Sequence, residues 1–508
     1  MMRIVWLVTV GCWAWSLVGA EQPQWGEAWS RNMVSGEKGL PETFDPKSGT
    51  NVKWSARLGT ETYSSPIVAG GRVYIGTNNE EPRDANHKAD SGVLMCFEEK
   101  TGELLWQLVV PKREEDPYHD WPKTGMPSPV TVEGERVYLV NNRGEAMCLD
   151  ARGMTNGNDG PYREEAGHML PRTTNSVALG VAPEAGAKDA DIIWLFDLTK
   201  GAGIWSHDGA HSSVLIHGDY LYLNSGTGVD NTHKKIRSPD APSLVVLDKR
   251  TGQLVARDQE HIAPDIFHCT WCSPSMGEVG GRPLIFFGAG NGVLYAFETF
   301  AGKGGGESTG GVSRLKKVWQ LDFDPGAPKE DIHRYLSNRR EGPSAFYGMP
   351  VFVDGRIYVA AGGDHWWGKN EAWLKCIDAN KAGQGGTNAV IWSYPLERHV
   401  LGTPAVYRGM VFIADCGRMM HCVEAETGKA YWTQELKGEV WASPLVADGR
   451  VYLGTRSGEF WVFAASKEKK VLSTVDFGAP IGSTATAANG TLYVNTLTKL
   501  YALQPGPR

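Results

Sequence analysis

Helical patterning is scarce in this 508-residue chain, and its formal charge of -7 runs against a nucleic-acid partner, which favours a concentrated basic face. Several cysteine signatures are missing as well. No two of the eight cysteines are adjacent, and no second Cys-x-x-Cys completes a four-thiolate zinc site beside Cys269 and Cys272. The order His268-Cys269-Thr270-Trp271-Cys272 is not the Cys-x-x-Cys-His of covalent haem attachment. The one apolar stretch at the N-terminus is too short for a stable bilayer span, so no membrane span is expected.

That stretch reads instead as a secretory signal over residues 1–20. Arg3 supplies the positive start, residues 4–10 the apolar run, and Val18-Gly19-Ala20 the small-residue cleavage site. Export to the periplasm or the cell exterior follows. Cys12 after Gly11 offers a lipoprotein alternative, disfavoured because Thr9 is a poor fit and the apolar run continues past Cys12. Export permits disulfides.

What the chain has in abundance is a repeat. Eight times, a Ser/Thr-Pro-Val-type phrase precedes a Gly-x-Val-Tyr-type phrase and then an apolar-x-small-apolar-acid phrase. The middle phrases centre on Tyr74, Tyr138, Tyr222, Phe286, Tyr358, Phe412, Tyr452 and Tyr493. Alternating apolar residues, β-branched and aromatic enrichment and glycine turns make each phrase a strand. The most compact copies return about every 40 residues, the period of a four-stranded propeller blade. Cys96, Cys148, Cys376 and Cys422 share one repeat column with Val246, Ala296, Val462 and Ala502, so they read as small apolar core residues.

Several copies continue through a turn such as Thr101-Gly102 or Thr427-Gly428 into a fourth strand bearing Trp106, Trp194, Trp319, Trp392 or Trp432. The last copy lacks this strand, while residues 51–58, with Trp54, form a fourth strand with nothing before it. An all-β, eight-bladed propeller of four-stranded antiparallel blades is expected, closed by that N-terminal strand. The blades span 64–107, 127–197, 211–257, 272–320, 348–396, 401–436, 441–477, and 482–504 with 51–58. Residues 21–50 form an irregular arm anchored by Trp25 and Trp29, and 51–508 a single domain.

The runs Leu94 to Trp106 and Met420 to Trp432 resemble the Gly-x-Leu-Tyr-Ala-Leu-Asp-x-x-Thr-Gly-x-x-x-Trp motif of the PQQ-like β-propeller family. The resemblance covers essentially the whole mature chain and departs at Ala256 and Ser473, where no tryptophan stands. It implies that the fourth-strand tryptophans dock between blades. The family includes quinoprotein dehydrogenases and the propeller lipoprotein of outer-membrane β-barrel assembly, so the resemblance does not select one function.

In such a blade the D-to-A and B-to-C connections share one face. Ten of the 13 histidines fall there, among them His207, His211, His233, His268, His365 and His399, as do Trp121, Trp271, Trp366, Trp367 and Trp441. Convergent histidines, indoles and carboxylates suit a ligand site, with His207, His211, His268, Trp271, Arg339, Asp364, His365, Trp366 and Trp441 as its candidates. His207, Asp208 and His211 suit a metal or acid–base work, or else a hydrogen-bonded loop. Cys269 and Cys272 suit a local disulfide, two free thiols, half a zinc site or a redox pair. Trp366 and Trp367 suit a stacking wall for a planar cofactor or sugar ring, or packing between loops. Arg339-Arg340-Glu341 suits an oxyanion clamp or a surface salt bridge. The loop from Asn224 to Asn231 has acceptors for calcium but lacks the acidic ladder of a calcium loop.

Two functions follow. One is an exported module binding a small ligand or another envelope protein through this loop face. The other, implied by the resemblance, is a PQQ- and calcium-dependent alcohol or sugar oxidoreductase, with Asp208 or Asp364 as base and Arg340 polarising the carbonyl. Against it stands the missing pair of adjacent cysteines. A carbohydrate hydrolase or lyase is a third reading.

Overall fold

A computed structural model describes residues 20–506 except 85–86, 88, 114–115, 117–118, 120, 172–183, 210, 303–307 and 384–386. Residues 1–19 of the expected signal, with Cys12, lie outside the described residues. Eight antiparallel sheets follow one another along the chain and form a ring, one per repeat. The first blade comprises Ile67–Ala69, Arg72–Asn78, Ser91–Glu98 and Leu104–Pro111. The last joins Thr486–Ala488, Thr491–Asn495 and Lys499–Leu503 to Val52–Arg57 from the other end of the chain, with Trp54 opposite Ala502. This closure removes the two edges that an open stack would expose.

The repeat phrases have identifiable physical roles. The Ser or Thr before the innermost strand accepts a backbone hydrogen bond from the preceding blade. Thr403 N–H donates to Ser443 Oγ at 2.9 Å, Ser443 N–H to Thr484 Oγ1 at 3.0 Å, and Thr484 N–H to Ser65 Oγ at 3.1 Å. The cysteine column packs between the strand-B aromatic and the strand-D tryptophan: Cys96 is paired across with Tyr74 and Trp106, and Cys422 with Phe412 and Trp432. All four thiols are buried and free, and burial pushes Cys148, Cys376 and Cys422 up to about 12.

The tryptophans dock on the following blade. Indole N–H groups of Trp54, Trp106, Trp194, Trp392 and Trp432 donate to the carbonyls of Glu99, Ala151, Lys249, Ala425 and Ser466 at 2.9–3.0 Å. Each ring also covers a turn, which explains the Thr-Gly signature. Gly428 has φ +73°, and a Cβ there would lie 2.6 Å from the Trp392 ring. Gly428→Ala is therefore expected to cost about 1–3 kcal/mol, from left-handed backbone strain and overpacking. Urea unfolding would show it as a lower midpoint with unchanged slope.

Two blades carry more than four strands, and these are the blades whose repeat lacks tryptophan. The third blade gains Val312–Arg314, parallel to Leu254–Arg257, and Ser308–Thr309 beyond it. Leu315 then packs beside Ala256 in the core between blades three and four. At blade seven, Leu40 and Phe44 of the arm fill the corresponding gap, with Phe44 5.8 Å from the rings of both Phe460 and Phe477.

The arm itself is threaded along the ring of innermost strands. Gln22 bridges Val68, Pro23 O accepts from Val132 N, Trp29 O from Met276 N, Ser30 O from Phe352 N, and Met33 O from Val446 N. Asn32 makes a two-way amide pair with Val406, at 2.8 and 2.9 Å. Val34–Ser35 adds a parallel strand to Leu445–Ala447. Arg31 is fully buried between blades three and four. Of the two expected anchors, Trp25 is tucked against the blades, whereas Trp29 is 51% exposed.

Candidate functional site

Every D-to-A connection contributes to one cavity of about 350 Å³ at the mouth of the ring. Trp121, Thr124, Pro127 and Pro129 come from the link between blades one and two, and Asp208 and His211 from the next. His268, Trp271, Tyr347, Leu401, Trp441, Ser483, Ser65 and Tyr63 complete the circuit. The B-to-C loops add His233 from blade three and Trp366 and Trp367 from blade five, and the arm adds Trp25. The cavity thus lies on the face to which the loop sorting assigns the histidines.

Its walls are aromatic and its deepest side is imidazole. Trp271 and Trp366 meet edge to face at 5.2 Å, Trp366 and Trp441 at 6.1 Å, and Trp441 stacks on Tyr63 at 5.9 Å. The rings of His207, His233 and His268 lie 4.9–5.5 Å apart. His268 Nδ1 is 2.9 Å from Asp364 Oδ2, and the same carboxylate accepts from the Tyr347 hydroxyl and from Trp367 N–H. Burial would raise the Asp364 pKa, but the His268 ring outweighs it and holds the carboxyl at about 2. Burial opposes charge on His268, yet Asp364 raises its pKa above the ordinary value. His207 goes well below it, from burial and the two neighbouring rings, and burial takes His211 down to about 4. Asp208 is pushed up to about 6, chiefly by burial.

The candidate residues separate into three groups. His207, Asp208, His268, Asp364, Trp271 and Trp366 converge. His211 lines the cavity beside them, but its Nε2 bonds the Asp208 carbonyl at 3.1 Å and its ring packs 4.4 Å from Trp271. Asp364 has both oxygens occupied and no exposure, which suits a positioning role better than that of a base. His365 and Trp441 pack edge to face at 5.7 Å. Arg339 clamps its neighbouring loop through the carbonyls of His365, Trp366 and Gly368, and Arg340 is exposed; neither lines the cavity. Cys269 and Cys272 are buried free thiols.

His233, Tyr347 and Trp25, like Trp121 and Tyr63, line the cavity without being among its sequence candidates. His233 sits at φ +58° and closes the imidazole cluster from a second loop. Tyr347 and Trp25 had weaker signals, a lone tyrosine before blade five and an arm whose path the repeat does not predict.

PQQ with calcium fits this donor set poorly. Calcium takes six to eight oxygens, whereas the clustered groups here are imidazoles. Among the described residues lining the cavity there is no lysine or arginine to meet an anionic quinone.

Fold and site together define a repeat propeller of eight blades with a ligand-sized cavity at one mouth. Residues 90–304 and 370–506 match the family described as outer membrane protein assembly factor BamB, and the chain belongs to this family of PQQ-like propellers. No curated protein matches the chain. Among solved structures it is similar to BamB from Moraxella catarrhalis, at 13% identity and a TM-score of 0.52, covering 89% of this chain and 97% of that one. It is also similar to a europium-containing methanol dehydrogenase, at 11% identity and a TM-score of 0.60, covering 96% and 98%. A computationally designed protein, Ika8, shares 9% identity and a TM-score of 0.50, covering 93% and 99%. At these identities the likeness is one of fold. Among the described residues no helix is long and apolar enough to cross a membrane.

Proposed function

We propose that this protein is an exported binding module whose cavity takes a compact, uncharged, hydroxyl-bearing ring such as a sugar. The observation that carries this reading is the cavity wall. Indoles of Trp121, Trp271, Trp366, Trp367 and Trp441 offer apolar faces to C–H surfaces. Between them the side chains of Tyr63, Ser65, Asp208 and Ser483 add polar groups to the lining. Hydroxyls and a carboxyl on an aromatic wall suit the alternating hydroxyls of a ring. A volume near 350 Å³ is at the small end of ligand sites, which favours one or two rings over a protein segment.

Titration with a panel of mono- and disaccharides, followed by tryptophan fluorescence and thermal shift, tests the reading. At least one sugar should quench the indoles and raise the melting temperature. Trp366→Ala should weaken it at least about tenfold, or 1.4 kcal/mol. No response across the panel, or an affinity indifferent to Trp366, would reject a sugar site. Recovery of a stoichiometric envelope protein whose binding blocks the cavity would replace it with a protein partner.

A further inference from the structure

We propose that His207, His233 and His268, with Asp208, form a binding site for a divalent first-row transition-metal ion at the deep side of the cavity. One ring nitrogen from each histidine lies within 4.8 Å of the others. A tetrahedral ion with nitrogens about 2.0–2.1 Å away would draw them to about 3.4 Å from one another. Asp208 Oδ2 stands 3.5 Å from His207 Nε2 and 4.0 Å from His268 Nε2. Those gaps are too long for hydrogen bonds and of the size that separates two donors on a shared ion.

The surroundings of the three rings point the same way. His268 is oriented through Nδ1 by Asp364, itself held by Tyr347 and the Trp367 amide. His268 therefore has one nitrogen anchored and the other available, the arrangement that fixes metal-binding histidines. The inward Nε2 atoms of His207 and His268 have no hydrogen-bond partner, although these residues are only 1% and 2% exposed. Ring packing alone would leave two buried polar atoms unsatisfied, which is costly. Asp208 and His233 are also held at φ +56° and +58°, a conformation that costs side-chain-bearing residues energy and collects at functional sites.

Three imidazoles and one carboxylate select zinc, copper, nickel or iron over calcium or magnesium. The ligands come from three loops, so the ion would also tie blade three to its neighbours. Asp208, His233 and His268 all line the cavity, which places any vacant coordination position toward it. This inference does not depend on the identity of an organic ligand.

The test strips the purified chain with a chelator and titrates it with Co(II), reading ligand-field absorption, then displaces Co(II) with Zn(II). One ion per chain with the intense absorption of a four- or five-coordinate nitrogen site is expected. His233→Ala, on a half-buried loop, and His268→Ala should each lose more than about hundredfold in affinity. Asp364→Asn should lose about 10–100-fold through misorientation of His268. Asp159→Asn, in the separate carboxylate group of Asp150, Asp159 and Asp191, should change nothing. Absence of stoichiometric binding, the weak absorption of an all-oxygen octahedral ion, binding that survives His233→Ala, or binding lost in Asp159→Asn would each overturn the proposal.

Discussion

Arg31→Ala is expected to lower the stability of the whole propeller by about 3–5 kcal/mol, a large effect for a residue outside the repeat. The guanidinium has no exposure. Its Nε donates to Pro274 O at 3.1 Å, Nη1 to Trp25 O at 3.0 Å and Ser213 Oγ at 3.1 Å, and Nη2 to Ser213 O at 2.9 Å. Ser213 leads into the third blade and Pro274 into the fourth, so one planar fork staples two blades and the arm together. Burial pushes its pKa down to about 9, still cationic at neutral pH. Hydrogen bonds to a charged donor contribute roughly 1.5–3 kcal/mol each, and truncation leaves four acceptors without it. Urea unfolding read by tryptophan fluorescence should show the loss. Trypsin should also reach the exposed Lys38 faster as the arm loosens. An unchanged midpoint and an unchanged cleavage rate would mean that the arm merely rests on the ring. Arg31→Lys should recover little, because an ammonium cannot span the same acceptors.

The arm marks the limit of what the repeat makes legible. Period, strand type, closure by Trp54 and the cysteine column all follow from a pattern repeated eight times, in which each copy corroborates the others. A segment that occurs once has no such support. Residues 21–50 carry no copy of the repeat, so their course along the innermost strands is set by single tertiary contacts such as Asn32 on Val406 and Arg31 on Ser213. The missing tryptophans at Ala256 and Ser473 were visible as departures. Their replacements, Leu315 and Phe44, come from outside the repeat, and nothing local identifies them.

For the cavity, the same logic assigned the histidines to the face that holds it but not which of them meet. Assigning loops to one end of the ring needs only strand order, and it collected His207, His233, His268 and Trp366 at the cavity. Which of them touch depends on loop conformation. His211 lies four residues from His207 and shares its motif, yet its ring turns onto Trp271. His233, 26 positions further along, takes the place beside His207 because a left-handed backbone at its own position directs it there. Arg339 and Arg340 show the converse: adjacent cations suit a clamp for a ligand, and Arg339 is a clamp for the neighbouring loop of blade five.

Glu145→Ala is the second large loss expected, about 3–5 kcal/mol, and it carries a pH signature that Arg31→Ala does not. Glu145 is 2% exposed at the start of a blade-two strand, where Arg143 Nη2 lies 3.1 Å and His168 Nε2 2.8 Å from Oε2, and Asn141 donates at 2.7 Å. His168 belongs to the insertion between the third and fourth strands of that blade, in the short helix Glu165–His168, so the carboxylate pins the insertion to the ring. Removing it takes from a buried guanidinium a carboxylate it bonds at 3.1 Å, the costly way to break such a pair. Burial would raise the Glu145 pKa, but the His168 ring and then Arg143 hold it well below the ordinary carboxylate range. A depressed carboxyl contributes stability that is complete above its unfolded value near 4.5 and is lost as pH falls toward the folded value. The stability gap between the native protein and Glu145→Ala should therefore narrow as pH falls below about 4.5. Denaturation midpoints across that range decide it: a gap that stayed constant down to pH 3 would show that packing, and not the buried charge pair, holds the insertion in place.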